Sequence, residues 1–420
     1  MDFFSTSRTM AIIHLPQGAY RGIEKDGICT YHNIPYAAPF KRFQAPESPA
    51  PSEQIYDATV FGAICPQKPS RLAIVTGPMP SDCGPQDEYH CNVLSINAPI
   101  ASDEDITPLP IICFAHGGGF MGGGSQVSWY DGTRLARDAD AIVICINYRL
   151  GAFGNLQTGD GQLPCATQDV IRALEWVGDN AKAFGGDPEN ITGFGQSAGA
   201  FHMSTMLQIR PDLLRRAIIQ SRPGGISQTA AKQQEVREMM NDALPQGVTL
   251  DGATTEQLLE AQTRTMMASP GMLPPFLPTV PEDFHKPSQR KFEVLLGWNK
   301  DDCTCFAKLS NIDLKSGGTF LTHTLVKHPS TELAETLRKD GHDVTLFELS
   351  WSGEGCEFGA VHCVDLPMVF GTEEAWKAAP MLGSTPWEEW ERRGKILRQA
   401  WGAFARNGTK PKSVEGLTVF

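Results

Sequence analysis

The chain has 420 residues, of which 41% are hydrophobic and 20% charged. That is globular composition and excludes wholesale disorder. A formal charge of −12 with no basic run argues against nucleic acid or an anionic membrane as partner, and no stretch approaches the ~18 consecutive apolar residues of a membrane span.

The first fifteen residues, MDFFSTSRTMAIIHL, lack the basic start and the apolar core of about 7–15 residues that mark a secretion signal. A cytoplasmic protein is expected. The 11 cysteines are scattered, with no CxxC pair. Cys303 and Cys305 form only a CxC, so no zinc site is expected.

Short apolar runs then alternate with helical patterns. Residues 109–115 (LPIICFA) and 141–147 (AIVICIN) read as buried strands, with a short helix over 130–138 between them. Residues 168–184 have helical spacing and stop at Gly185-Gly186. Strands are expected at 191–194, 216–220, 292–298 and 344–349, and helices at 234–243, 256–267, 331–338 and 387–406. This alternation predicts one α/β unit over 1–420, with a mostly parallel central sheet and helices on both faces. Residues 1–68 read as a loop-rich edge.

Gly195-Gln196-Ser197-Ala198-Gly199 is a G-x-S-x-G. Alone it is weak. Here it follows a predicted strand and opens a predicted helix, the setting of a nucleophile elbow. A serine there sits on a strained turn with Oγ exposed, so its neighbours must be small. His116-Gly117-Gly118-Gly119-Phe120 follows the strand ending at Ala115. Glycines in such a loop let main-chain N–H groups converge on a developing oxyanion, each worth roughly 3 kcal/mol of barrier. GxxxxGK[ST] does not fit the run, which disfavours phosphate binding.

HGGGF, NYRLGAFG (147–154) and FGGDPENITGFGQSAGA (184–200) together resemble the type-B carboxylesterase family, the lineage that includes the cholinesterases. NIPYAAPFKRF (33–43), ATVFGAICPQ (58–67), Cys91 and FARNG (404–408) match further family motifs in the family's order. The resemblance implies the α/β-hydrolase fold and a serine esterase needing no metal or organic cofactor. It assigns Ser197 as nucleophile, with Gly118, Gly119 and Ala198 as oxyanion donors. VLLGWNKDDCTCF (294–306) places Asp302 where the family has Glu, with Asp301 as rival and Cys303 in place of a glycine. GAVHCVDLPMVFG (359–371) places His362 at the family histidine, with Cys363 in place of another glycine. His116 and His202 are expected to be structural.

Several features depart from the family. Gln196 stands where many relatives have Glu. The stretch from Cys65 to Cys91 has no tryptophan, so the cation–π face for a choline ester is missing. Resemblance implies a Cys65–Cys91 bridge, whereas the absent signal favours two neighbouring thiols. Arg149 is expected to meet Asp169. Only 60 residues separate Asp302 from His362, so 303–361 is a shortened pocket-wall region, predicting a more open site or a wall supplied by a partner. The expected activity is hydrolysis of a neutral, small or medium organic ester through an acyl-enzyme, in specialised metabolism. An acyltransferase or cyclase with the same residues, and a non-catalytic binding protein, are the alternatives.

Overall fold

The computed structural model describes residues 9–39, 41–100, 107–156, 163–269, 273–279 and 290–420. Residues 1–8 of the stretch read for a secretion signal lie outside the described residues, as does residue 40 within the 33–43 motif.

Among the described residues twelve strands form one sheet: β1 (Thr9–Leu15), β2 (Gly18–Lys25), β3 (Ile28–Pro35), β4 (Ile55–Asp57), β5 (Val93–Pro99), β6 (Leu109–Ala115), β7 (Ile142–Ile146), β8 (Gly186–Gln196), β9 (Arg216–Gln220), β10 (Glu293–Asn299), β11 (Asp343–Leu349) and β12 (Leu417–Val419). Their order is β1-β2-β3-β5-β7-β6-β8-β9-β10-β11-β12, with β4 beside β2. The run from β7 to β11 is parallel. The edges are antiparallel, except that β4 runs parallel to β2. This is the α/β-hydrolase fold.

The centre of the sheet is buried on both sides, which is why β6 and β7 read as continuous apolar runs. Side chains alternate between faces. Ile111, Cys113, Ile142 and Ile144 join one core, while Ile112, Phe114, Val143 and Cys145 join the other. The first core is covered by the helices Cys165–Asn180 and Ala198–Ile209, through Val170, Leu174, Met203 and Met206. The second is covered by Thr133–Ala139 and Trp387–Asn407, through Leu135, Trp390, Trp401 and Phe404. Among the described residues no helix is long and apolar enough to cross a membrane.

Within the stretch read as a loop-rich edge, Thr9–Pro35 forms a three-stranded meander at one side of the sheet. Pro16-Gln17 and Asp26-Gly27 are its two tight connections. Asp26 and Gly27 both take positive φ, 52° and 77°, the conformation that Asp-Gly favours in a two-residue hairpin.

Arg149 and Asp169 meet in a fully buried pair, with Nε–Oδ2 at 2.8 Å and Nη2–Oδ1 at 2.6 Å. The same carboxylate accepts the Arg149 N–H and the Asn92 amide. It ties the segment after β7 to the helix beneath the sheet.

Candidate active site

The candidate residues gather beyond the carboxyl ends of the parallel strands, where ligands enter open α/β sheets. Ser197 follows β8 directly and starts the helix Ala198–Ile209. Its φ of 56° and ψ of −119° place a non-glycine residue in a strained conformation. Gly199 is required by a close approach: a Cβ there would stand 1.9 Å from the Ala115 carbonyl oxygen. The glycine loop after β6 packs against this elbow. A Cβ on Gly117 would lie 2.4 Å from Gln196 Oε1 and 3.0 Å from Ser197 Cβ. Gly118 and Gly119 follow at φ 117° and 62°. Ala198 is the first residue of its helix, so its N–H has no acceptor within that helix.

Asp302 lies just beyond β10, and His362 in the loop after β11. His362 Nδ1 donates to Asp302 Oδ1 at 2.5 Å. Asp302 is 0% and His362 2% exposed, so this charge-assisted bond is shielded from water. The other carboxylate oxygen accepts the Asn299 N–H at 2.9 Å, and the His362 N–H donates to the Asp302 carbonyl at 3.1 Å. Asp301 turns to a different task. Its carboxylate accepts the Ala360 N–H at 2.9 Å and pins the histidine loop from below.

With Nδ1 protonated, His362 Nε2 is the lone-pair nitrogen. Gln196 sets its Nε2 3.4 Å from it and 3.7 Å from Cys363 Sγ. Sequence reasoning missed this contact, because the period-2 pattern of a strand does not say where a long side chain ends. Cys363 itself has φ 75°, a conformation that suits the glycine it replaces. Burial pushes its thiol up, so it is held protonated. Cys303 also lies by the site, its N–H donating to Thr322 Oγ1 at 2.9 Å. Asp365 is a second buried carboxylate nearby, which Asn299 Nδ2 meets at 3.2 Å. Burial pushes Asp365 up to about 6.

His116 braces the glycine loop. Its Nδ1 donates to the Gly117 carbonyl at 2.7 Å, its ring stacks on Tyr148 at 4.5 Å, and the Tyr148 hydroxyl donates to the His116 carbonyl at 2.6 Å. His202 is fully buried against Phe120 and Tyr148. Burial lowers His116 to about 4 and His202 to about 3, so both stay neutral. Cys65 and Cys91 are unbridged and buried, and the Cys91 thiol donates to the Glu88 carbonyl at 3.7 Å.

Ser197 and His362 open onto one cavity of about 420 Å³, which Gly118, Gly119 and Ala198 also line. Its walls are mainly apolar, including Phe120, Ile226, Leu277 and Met266. The 303–361 stretch supplies Cys303, Phe306, Leu325 and Val326. Among the described residues no group of three or more His, Cys, Asp or Glu side chains is placed to hold a metal ion.

Residues 9–353 match the carboxylesterase family. The chain is 31% identical to a probable N-octanoylanthranilate hydrolase of Rhodococcus erythropolis, covering 94% of this chain and 92% of that protein. It is 27% identical to the para-nitrobenzyl esterase of Bacillus subtilis, with 95% and 90% covered. Among solved structures, a thermophilic PNB esterase superposes with a TM-score of 0.82 at 25% identity over 96% of this chain and 92% of the other. A carboxylesterase of Geobacillus stearothermophilus gives 0.76 at 27% identity, with 96% and 92% covered.

Proposed function

As the chain belongs to the carboxylesterase family, we propose that this ester-cleaving enzyme works through a covalent acyl-enzyme on Ser197. The observation that carries the reading is the sharing of one cavity by Ser197 and His362, with Asp302 bonded to the far nitrogen of the imidazole. In the first half-reaction Ser197 Oγ attacks the ester carbonyl while His362 Nε2 takes its proton. Asp302 holds the tautomer and stabilises the imidazolium. The N–H groups of Gly118, Gly119 and Ala198 receive the oxyanion. His362 returns the proton to the departing alcohol. In the second half-reaction water, deprotonated by His362, attacks the acyl-enzyme, and collapse releases the acid and restores Ser197.

The apolar walls fit a substrate with a small or medium hydrocarbon part. One relative is named for N-octanoylanthranilate, which supports an acyl chain of medium length here. The test is a rapid-quench reaction with a p-nitrophenyl ester, followed by intact-mass measurement. A burst of nitrophenol matched by one acyl adduct, absent in Ser197→Ala, supports the reading. Steady turnover with no burst and no adduct, even at acid pH where deacylation slows, contradicts it.

A further inference from the structure

The arginines that the fold buries most deeply are each matched with a carboxylate: Arg42 with Glu88, Arg149 with Asp169, Arg216 with Glu293, and Arg398 with Asp138 and Glu391. Arg222 differs. It is partly buried, two residues beyond β9. Its Nε donates to Ser204 Oγ at 2.8 Å, and its guanidinium lies 5.4 Å from the centre of the Phe201 ring. Among the described residues it has no carboxylate partner, and the two Nη groups have no protein acceptor. Burial alone lowers its guanidinium to about 10, with no acid beside it to offset the loss of water. The side chain is partly exposed, so its Nη groups meet water, and among the described residues no protein anion balances the charge.

Its position relates that charge to the site. The next residue, Pro223, lines the cavity. Phe201, under the guanidinium, packs with Phe120, Ala198, Ile226 and Leu277, all of which line the cavity as well. The cation thus stands one ring behind the wall, where an apolar medium screens its field poorly. The cavity lining points the same way. Lys68 and Arg71 line it, and among the described residues no aspartate or glutamate does. Lys68 is tethered to Glu256 at 2.6 Å, but both side chains are exposed, so that pair holds little.

We propose that the cavity selects esters bearing a carboxylate in their acyl or alcohol part, with Arg222 as the charge-selecting residue. This rests on the ester-hydrolase reading above and replaces the neutral ester expected from sequence. An anionic substrate supplies the counter-charge that the fold leaves out, and a guanidinium attracts a carboxylate at longer range than it can bond one.

The experiment compares two matched pairs of esters in the full-length protein. One pair varies the acyl part, mono-p-nitrophenyl glutarate against its methyl ester. The other varies the alcohol, 4-carboxyphenyl butyrate against 4-acetylphenyl butyrate. The expected result is an acid-to-neutral ratio of kcat/KM of about tenfold or more in at least one pair, falling as salt is added and carried by KM. Arg222→Met collapses the ratio and Arg222→Lys retains most of it. Calorimetric binding of the same four compounds to Ser197→Ala reads the charge preference without turnover, so a failure of the acyl-enzyme reading is seen separately. A wild-type ratio near one in both pairs overturns the proposal, as does a preference that survives in Arg222→Met.

Discussion

At the scale of single residues, the division of labour between Asp301 and Asp302 is the sharpest distinction the site makes. Asp302 holds His362 Nδ1, while Asp301 holds the Ala360 backbone. Asp302→Asn offers the imidazole an amide and favours the wrong tautomer. The expected loss in kcat is on the order of 10⁴-fold with folding retained, read by ester turnover alongside circular dichroism. Asp301→Asn keeps an acceptor for the Ala360 N–H and is expected to cost less than about tenfold. Equal losses in the two variants would show that the hydrogen bond does not define the catalytic acid. Gln196→Glu places a carboxylate against His362 Nε2, where the structure has a neutral amide. Such a charge favours the imidazolium, so the acid limb of the kcat/KM profile moves to higher pH. An unmoved profile would mean that residue 196 does not face the working nitrogen.

What was legible at this scale follows from backbone chemistry. Ser197, Gly118 and Gly119 were readable because strained turns and converging N–H groups restrict the residue types allowed. Asp302 and His362 came from resemblance, since nothing in local spacing joins positions 60 apart. Gln196 against His362, Asp365 near the pair, and Arg222 without a partner were not legible. Each depends on where a side chain ends once three separate strands are aligned.

At the scale of elements, the parallel strands were readable because burial on both faces makes them short and continuously apolar. The 109–115 and 216–220 runs became β6 and β9 with those same bounds. Helix ends were less legible. The 168–184 helix starts earlier, at Cys165, and tightens after Asn180 into a separate turn over Ala181–Phe184. The N-terminal meander was not legible because its strands have polar or half-exposed faces. The Arg149–Asp169 pair holds two elements together, and its worth is measurable. Asp169→Asn leaves a buried guanidinium uncompensated and is expected to cost about 3–5 kcal/mol, read as a lower midpoint in urea denaturation. A change below about 1 kcal/mol would mean that the pair is replaceable by water.

At the scale of the whole molecule, stability and chemistry share the interior beside the site. Asp365 lies at about 6, above its ordinary value of 3.8. Its native state therefore holds a proton that the unfolded chain releases between those values. The stabilisation is fully present below about pH 4 and is lost as pH rises through about 6. Asp365→Asn removes this dependence. The melting temperature of the variant relative to wild type is expected to rise from pH 4 to pH 7, and a constant difference would contradict the burial argument.

The proposed chemistry depends on Ser197 being an activated nucleophile. Intact-protein mass after exposure to a fluorophosphonate tests it most directly, with Ser197→Ala as the control. The expected result is a single adduct on the wild type and none on the variant. A well-folded wild type that takes no adduct would contradict it.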